Sequence, residues 1–459
     1  MPVLAALLIA VAGLAFRGEL MKHLSLAGGD APRYLRVASD LVVTGRYTDG
    51  VGNPDRAKRP PGMFMAPLYP AFVAAAIPLS PTLAATAACF AEGNAPCPET
   101  LGALIPLQFV VAAITLLLLW RLAATATESE TIGWIALLLA AFGSYEFASA
   151  ALTAVTENLT LCLFTAMQLA LVAAARRDDR RLALLAGLLL GLTGLTRPAF
   201  AYAAYAVLVV TLIGWLIPTW RQRHRAMLGL GAAMTAGAAL ALVPWMTRNA
   251  LELGVFSLTQ GYGGKILAQR VAYDAMSWHE YLAGWFFYLP DFGTSLARAL
   301  FPHDWYARLG WNPGSYYDYS VRVLDAQTVA AAGGVQHQVG YIVRHYILPD
   351  LPKFAAVTAL LAWRGLWIGK YFGFIAFPLF VAALVAPSLR RRAGRLLLLS
   401  LPALFMLAFQ AAISVSMNRY NIDLSASFAI GAAVCFAALY ERIAGRPGAL
   451  AKAGVPPHI

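Results

Sequence analysis

The sequence predicts an all-α, polytopic membrane protein with about ten transmembrane helices, bounded at roughly nine and twelve. Three observations lead there. Of 459 residues, 60% are hydrophobic and only 13% charged, with a mean hydropathy of +0.64; a soluble chain carries about 25% charged residues. The apolar residues fall in runs of the length a bilayer requires, about 20 residues each. The basic residues punctuate the ends of those runs, as cytoplasmic Lys and Arg do in membrane proteins.

Taken in chain order, the first span is expected near 3–20. No basic residue precedes it and no clear small-residue cleavage site follows, so it reads as an uncleaved helix rather than a signal peptide, with Arg17 snorkelling at its end. A first extracytoplasmic loop, 17–100, comes next. Within it, 64–79 is apolar but short and holds Pro67, Pro70 and Pro78, each of which costs helix hydrogen bonds, so it reads as an interfacial or re-entrant helix. Cys89 and Cys97, eight positions apart in this loop, are expected to form a disulfide in an oxidising compartment.

Six further spans are expected near 102–120, 131–150, 155–175, 182–199, 201–219 and 226–247, and three more near 367–388, 396–415 and 424–441. Arg121, Arg176, Arg177, Arg180, Arg181, Arg221, Arg223, Arg225, Arg390, Arg391, Arg392, Arg395, Arg442 and Arg446 then share the cytoplasmic side. The other side receives the 17–100 loop, the hairpin at Thr196-Arg197-Pro198 and a long segment, 248–366, whose 338–365 stretch mixes charge with apolar residues and reads as interfacial. The tail 442–459 is expected to be short and cytoplasmic, without a further soluble domain, and residues 1–459 are expected to form one integral membrane domain. Cys162 and Cys435 lie inside spans and read as packing residues.

Several function classes are excluded. The net charge of +12 does not indicate nucleic acid, because the basic residues are not gathered on one soluble domain. There is no phosphate-binding GKS or GKT loop, no HExxH, no GxSxG and no strand-borne Rossmann fingerprint; Gly261-Tyr262-Gly263-Gly264 lacks strand context and reads as a turn. No internal repeat is visible, which weakens an inverted-repeat transporter.

A charged, Pro- and Gly-rich stretch from 28 to 70 stands out in so apolar a chain, and with it comes a set of landmarks. In order they are Asp30-x-x-Arg33-Tyr34; Arg59-Pro60-Pro61-Gly62 followed by Tyr69-Pro70; Thr156-Glu157-Asn158-Leu159; GLLLGLTGLTRP ending at Pro198; Pro244-Trp245-x-x-Arg248-Asn249; and Asn418-Arg419-Tyr420. Their order and shared side resemble the GT-C superfamily of membrane glycosyltransferases, closest to the branch of protein O-mannosyltransferases and aminoarabinose transferases (glycosyltransferase family 39-like). The resemblance implies an enzyme that moves a sugar from a polyprenyl-phosphate carrier onto an acceptor outside the cytoplasm.

Such a transfer breaks the anomeric C–O bond through an oxocarbenium-like transition state, and its leaving group is an anionic phosphate. It needs a carboxylate base and cations on the departing phosphate. Asp30, behind Gly28-Gly29, is the candidate base; an N-cap role ahead of a helix at 31–44 is compatible with it. Arg33, Arg59 and Arg248 are the candidate phosphate ligands, with Lys58 sharing or replacing Arg59, because a guanidinium fork fits phosphate oxygens. Tyr34, Glu157, Arg197, Arg419 and Tyr420 are expected to line the cavity or meet the acceptor. The external segment is rich in aromatics such as Tyr262, Trp278, Trp285, Trp305, Tyr316 and Tyr317, most of them reading as an interfacial belt. A divalent metal is compatible with the chemistry, but no spacing specifies one: His279/Glu280 and His303/Asp304 make no ligand pattern.

Ala31 follows Asp30 where protein mannosyltransferases show a second acid, which turns the expectation from a protein acceptor to a cell-envelope lipid or polysaccharide. The Ala-, Arg- and Leu-rich composition suggests a bacterial inner (plasma) membrane, with the site on the periplasmic side and membrane lipids, the lipid-linked donor and the envelope acceptor as partners. The rival reading is a lipid or solute transporter or flippase. It would place charged residues near the bilayer midplane on broken helices, whereas here they gather at the outer interface.

Overall fold

In the computed structural model of the chain the described residues are 2–19, 30–51, 53–93, 97–98, 100–143, 145–386 and 390–444. Gly28, Gly29 and, beyond residue 444, the expected tail with Arg446 lie outside them. The described residues are helical throughout apart from loops, and the one β-bridge among them joins Thr48 to Pro61.

Helix α1 (Pro2–Glu19) is followed by three short helices of the first loop, α2 (Ala31–Thr44), α3 (Leu68–Ala76) and α4 (Pro81–Glu92). The bundle continues with α5 (Leu104–Thr127), α6 (Glu130–Leu138), α7 (Tyr145–Leu152), α8 (Glu157–Arg177), α9 (Arg180–Thr196), α10 (Ala201–Leu216), α11 (Pro218–Arg223) and α12 (Arg225–Leu253). The long segment folds as α13 (Tyr262–Ala272), α14 (Trp278–Phe287), α15 (Gly293–Leu300), α16 (Tyr316–Tyr319), α17 (Asp325–Ala332), α18 (Gln338–Ile342) and α19 (Leu351–Gly365). Three last helices return to the bundle: α20 (Tyr371–Val385), α21 (Arg390–Ile413) and α22 (Leu424–Ile443).

Each expected span has a helix beneath it. Six helices among the described residues are long and apolar enough to cross a membrane: Leu104–Thr127, Glu157–Arg177, Pro198–Leu216, Arg225–Leu253, Ala393–Ile413 and Leu424–Ile443. Helix α8, with 21 residues, reaches about 31 Å at 1.5 Å per residue, the thickness of a hydrocarbon core. Pro2–Phe16, Glu130–Gly143 and Tyr371–Val385 are apolar but shorter. The expected span 131–150 is divided: α6 runs through a π-helical turn, Leu139–Gly143, before α7 starts. The proline-bearing run 64–79 is the short α3 with a 3₁₀ turn, Ile77–Leu79.

Small residues set the tightest helix pair. A Cβ on Gly187 would lie 1.8 Å from the Met234 carbonyl oxygen, and one on Gly237 would lie 2.0 Å from that of Leu184, so α9 and α12 meet backbone to backbone. Charged side chains gather at both ends of the bundle. At one end Glu128 pairs with both Arg176 and Arg395, at 2.8 and 2.7 Å, and Arg121 pairs with Glu130 at 3.3 Å. The opposite ends of α8, α9 and α21 lead to Glu157, Arg197 and the loop before Arg419.

The 248–366 segment is tied down by Arg270, which is fully buried on α13. It donates to Asp274 (2.7 Å), the Ala411 carbonyl (3.0 Å), the Phe354 carbonyl (2.9 Å) and Thr358 (2.9 Å), joining α13 to α19 and α21. In the first loop, Cys89 and Cys97 are joined by a disulfide with Cα atoms 5.7 Å apart.

Candidate functional site

A cavity of about 130 Å³ opens where α2, the starts of α8 and α10, α13 and the end of α21 converge. Asp30, Tyr34, Glu157, Arg197, Arg419 and Tyr420 all line it. Asp30 heads α2, with Pro32 in the first turn. Its carbonyl accepts from the amides of Arg33 (3.0 Å) and Tyr34 (3.2 Å), while its carboxylate makes no capping hydrogen bond. The N-cap position is therefore occupied without the N-cap contact, and the carboxylate is left facing the cavity.

Across the cavity sits Glu157, buried in the first turn of α8, where the helix dipole favours a carboxylate. Two guanidinium groups flank it. Arg197 Nη1 lies 3.8 Å and Arg419 Nε 3.9 Å from the same Glu157 oxygen. Both distances exceed hydrogen-bond length, and both nitrogen atoms are buried with no hydrogen-bond partner. Two donors thus point into one site unsatisfied, a condition that costs about 1–3 kcal/mol for each buried polar group. Tyr420 lies under both cations, 5.2 Å from Arg197 and 5.4 Å from Arg419.

The chemistry of the cavity wall follows from its burial. Desolvation alone would lower the Arg419 guanidinium, but the charge of Glu157 and the neighbouring Tyr420 outweigh it and Arg419 is held fully charged. Burial pushes the hydroxyls of Tyr34, Tyr262 and Tyr420 up, and the Asp30 carboxylate pushes each further in the same direction. All three remain phenols and hydrogen-bond donors. Together with Arg197 and Arg419 they make a wall of donors opposite a carboxylate, which suits an oxyanion.

The four residues expected to hold phosphate are elsewhere. Arg59 is 4% exposed and fully used: Nη1 donates to both oxygens of Asp40 (2.8 and 2.9 Å), Nε to the Asn53 carbonyl (2.8 Å) and Nη2 to the Ala91 carbonyl (2.7 Å). Lys58 is exposed and pairs with Asp55 at 3.1 Å. Arg248 donates to the carbonyls of Gly62 (2.8 Å) and Tyr47 (3.1 Å) and pairs with Glu252 (2.6 Å), fastening the first loop to α12. Arg33 lies 4.3 Å from the centroid of the Phe64 ring. None of these four lines the cavity.

Other lining residues were not marked by the sequence: Phe64, Tyr202, Gln410 and Ser414 carry no motif, and Tyr262 reads as one aromatic among many. Asp423 is a further omission. It precedes α22, is fully buried, and neither carboxylate oxygen has a hydrogen-bond partner. Burial raises it to about 7, against the opposing pull of Arg197. A carboxyl raised in the folded state favours folding below its unfolded value of about 3.9 and loses that contribution as pH rises towards 7. Asp423→Asn should therefore increase stability at pH 8 and flatten the decline between pH 4 and 7. Thermal melts of the detergent-solubilised protein across that range check this; a variant less stable than wild type at pH 8 refutes it.

No group of three or more His, Cys, Asp or Glu side chains that would hold a metal ion is assembled among the described residues, so no step is derived through one. Glu280 is taken up by a capping box with Ser277 and by the Tyr316 hydroxyl at 2.8 Å, and the His279 ring packs at a tilt against Trp305, with centroids 4.3 Å apart.

No family model and no curated protein matches the chain. Among solved structures, it is similar to the oligosaccharyltransferase of Archaeoglobus fulgidus in its apo form, at 14% identity and a TM-score of 0.52 over 96% of this chain and 51% of that one. The same enzyme complexed with Zn and sulfate aligns at 14% identity and a TM-score of 0.50, over 97% of this chain and 50% of that one. ArnT from Cupriavidus metallidurans, bound to undecaprenyl phosphate, aligns at 16% identity and a TM-score of 0.47, over 97% and 61%. The chain thus spans about half the length of the oligosaccharyltransferase it matches. What the chain shares with the oligosaccharyltransferase is the fold.

Proposed function

We propose that the protein is a membrane glycosyltransferase that moves a sugar from a polyprenyl-phosphate carrier to a cell-envelope glycolipid or polysaccharide on the extracytoplasmic face of a bacterial inner membrane. The carrying observation is the pair of buried, unpartnered guanidinium nitrogens on Arg197 and Arg419, in one cavity with an uncapped Asp30 carboxylate.

The donor phosphate is the group this wall suits. Arg197 and Arg419 reach its oxygens with the nitrogens that have no other partner, and Glu157 fixes both cations in place without consuming those bonds. Arg33, Lys58, Arg59 and Arg248 are not assigned this role, because their charges are engaged on the loop. With the phosphate held, the anomeric carbon faces Asp30. The acceptor O–H attacks that carbon, the C–O bond to phosphorus breaks with its electron pair leaving on the phosphate, and Asp30 takes the acceptor's proton. General-base help of this kind is worth roughly 10²–10⁴-fold. Stabilising the leaving oxyanion in a site poor in water adds a comparable factor.

The test is to incubate purified protein with a panel of polyprenyl-phosphate sugars and to measure release of polyprenyl phosphate. At least one donor should be consumed. Arg197→Gln and Arg419→Gln should each raise the donor KM by about 10-fold or more, the loss of one charge-assisted hydrogen bond. If no donor on the panel is turned over, or if both variants leave KM unchanged, the assignment is wrong.

A further inference from the structure

Asp423 is a buried carboxyl that the proposed reaction leaves idle. It does not line the cavity. It heads α22, three residues beyond Tyr420, and neither of its oxygens has a hydrogen-bond partner. Asn421, Ser425 and Ser427, on either side of it in sequence, are fully buried too, and each leaves an oxygen unpartnered. Buried polar atoms are almost always bonded, and a carboxylate in such a place keeps its charge only where a cation supports it.

That cation is Arg197. Burial raises the Asp423 carboxyl to about 7, opposed by its own amide and by Arg197 at the tip of α9. The elements packed around it bring no other free charge among the described residues. Helix α20 carries no charged residue, and Glu130 of α6 and Arg395 of α21 are paired at the far end of the bundle. Arg364 of α19 is turned to Tyr273, Tyr288 and Trp311. On its own stretch, Arg419 is aligned on Glu157 at 3.9 Å and Tyr420 stays a phenol.

Arg197 is therefore shared. Glu157 lies 3.8 Å from its Nη1, Asp423 acts on it from outside the cavity, and the donor phosphate is its proposed ligand. Two guanidinium groups, Arg197 and Arg419, and two carboxylates, Asp30 and Glu157, line the cavity. Their formal charges balance, and a phosphodiester brings the site to one net negative charge. An ionised Asp423 would add a second, in a setting poor in water where like charges repel strongly. Phosphate and ionised Asp423 thus compete for one cation.

We propose that Asp423 is a positioning residue for the donor: it acts through Arg197, and the phosphate binds to the form in which Asp423 holds a proton. The proposal rests on the reading of Arg197 and Arg419 as ligands of the donor phosphate and adds the regulation of that contact. A donor that meets the ionised form draws one proton from water onto Asp423 and leaves Arg197 to the phosphate. Donor affinity falls as pH rises through neutrality, because the ionised form then gains on the protonated one. The donor does not titrate in this range, since a phosphodiester keeps one charge. Tyr34, Tyr262 and Tyr420 stay phenols throughout.

The test uses the full chain in detergent micelles and the methyl diester of undecaprenyl phosphate, which keeps one charge between pH 6 and 9 and offers no sugar to transfer. Binding is followed by titration calorimetry in buffers of different ionisation enthalpy. Wild type should bind about 10-fold more weakly at pH 9 than at pH 6, the effect of one pKa unit of coupling, and should take up protons near pH 7. Asp423→Asn should bind at pH 9 as tightly as wild type at pH 6, with no proton uptake. Asp423→Ser gives the same reading if the first variant does not fold. A merely structural role would shift affinity by one factor at both pH values and leave proton uptake in place; that result overturns the proposal. So does a flat wild-type profile. If the diester binds, Arg197→Gln weakens it and pH has no effect, the donor-phosphate reading stands and the role of Asp423 alone falls. If the diester binds at neither pH, both fall.

Discussion

Asp30→Asn should lower turnover of the lipid-linked donor by roughly 10²–10⁴-fold, the span of general-base contributions, while leaving the melting temperature unchanged. The second half of this expectation comes from the structure. If Asp30 capped α2, its replacement would cost about 1 kcal/mol and blur the reading. Its side chain makes no capping contact, and Asn is in any case as good a cap as Asp. A fall in kcat with an unchanged donor KM would mark a group that acts in the transition state. Full activity in the variant would remove Asp30 from the base role and direct attention to Glu157, the other carboxylate of the cavity.

Arg59→Met should destabilise the protein by about 3–5 kcal/mol, the usual result of removing one partner from a buried ion pair. Asp40 is fully buried and its carboxylate is held by Arg59 and by the Thr48 hydroxyl at 2.5 Å. Without the guanidinium a bare carboxylate remains in the interior between α2 and the loop, and the carbonyls of Asn53 and Ala91 lose their donor. Adding Asp40→Leu should recover much of the loss, since replacing both members with apolar groups is often nearly neutral. Chemical denaturation in mild detergent, with single and double variants compared, checks this. A single variant as stable as wild type would show that the pair is dispensable.

These two residues mark where the sequence is readable and where it is not. The helices were legible because a bilayer imposes one length and one composition, and basic residues declare the side on which each run ends. Asp30, Tyr34, Glu157, Arg197, Arg419 and Tyr420, which line the cavity, were legible because each is a polar side chain near the end of an apolar run. Arg33, Lys58, Arg59 and Arg248 were equally conspicuous, but a sequence does not show a cation's partner. Asp40 lies 19 residues from Arg59, and the Gly62 carbonyl lies 186 residues from Arg248. Phe64 was silent for the complementary reason, since its place in the cavity wall depends on Tyr262 being brought against it from the 248–366 segment.

The backbone contact between α9 and α12 also bears on Arg197. Gly187 stands ten residues before it on a helix, about 15 Å away. With no side chain between the two axes, α9 has nowhere to slide or tilt, and whatever fixes its middle fixes its tip. The placement of the Arg197 guanidinium thus depends in part on backbone contacts well removed from the cavity. A larger residue at Gly187 or Gly237 would push the two helices apart and carry the Arg197 end of α9 with them.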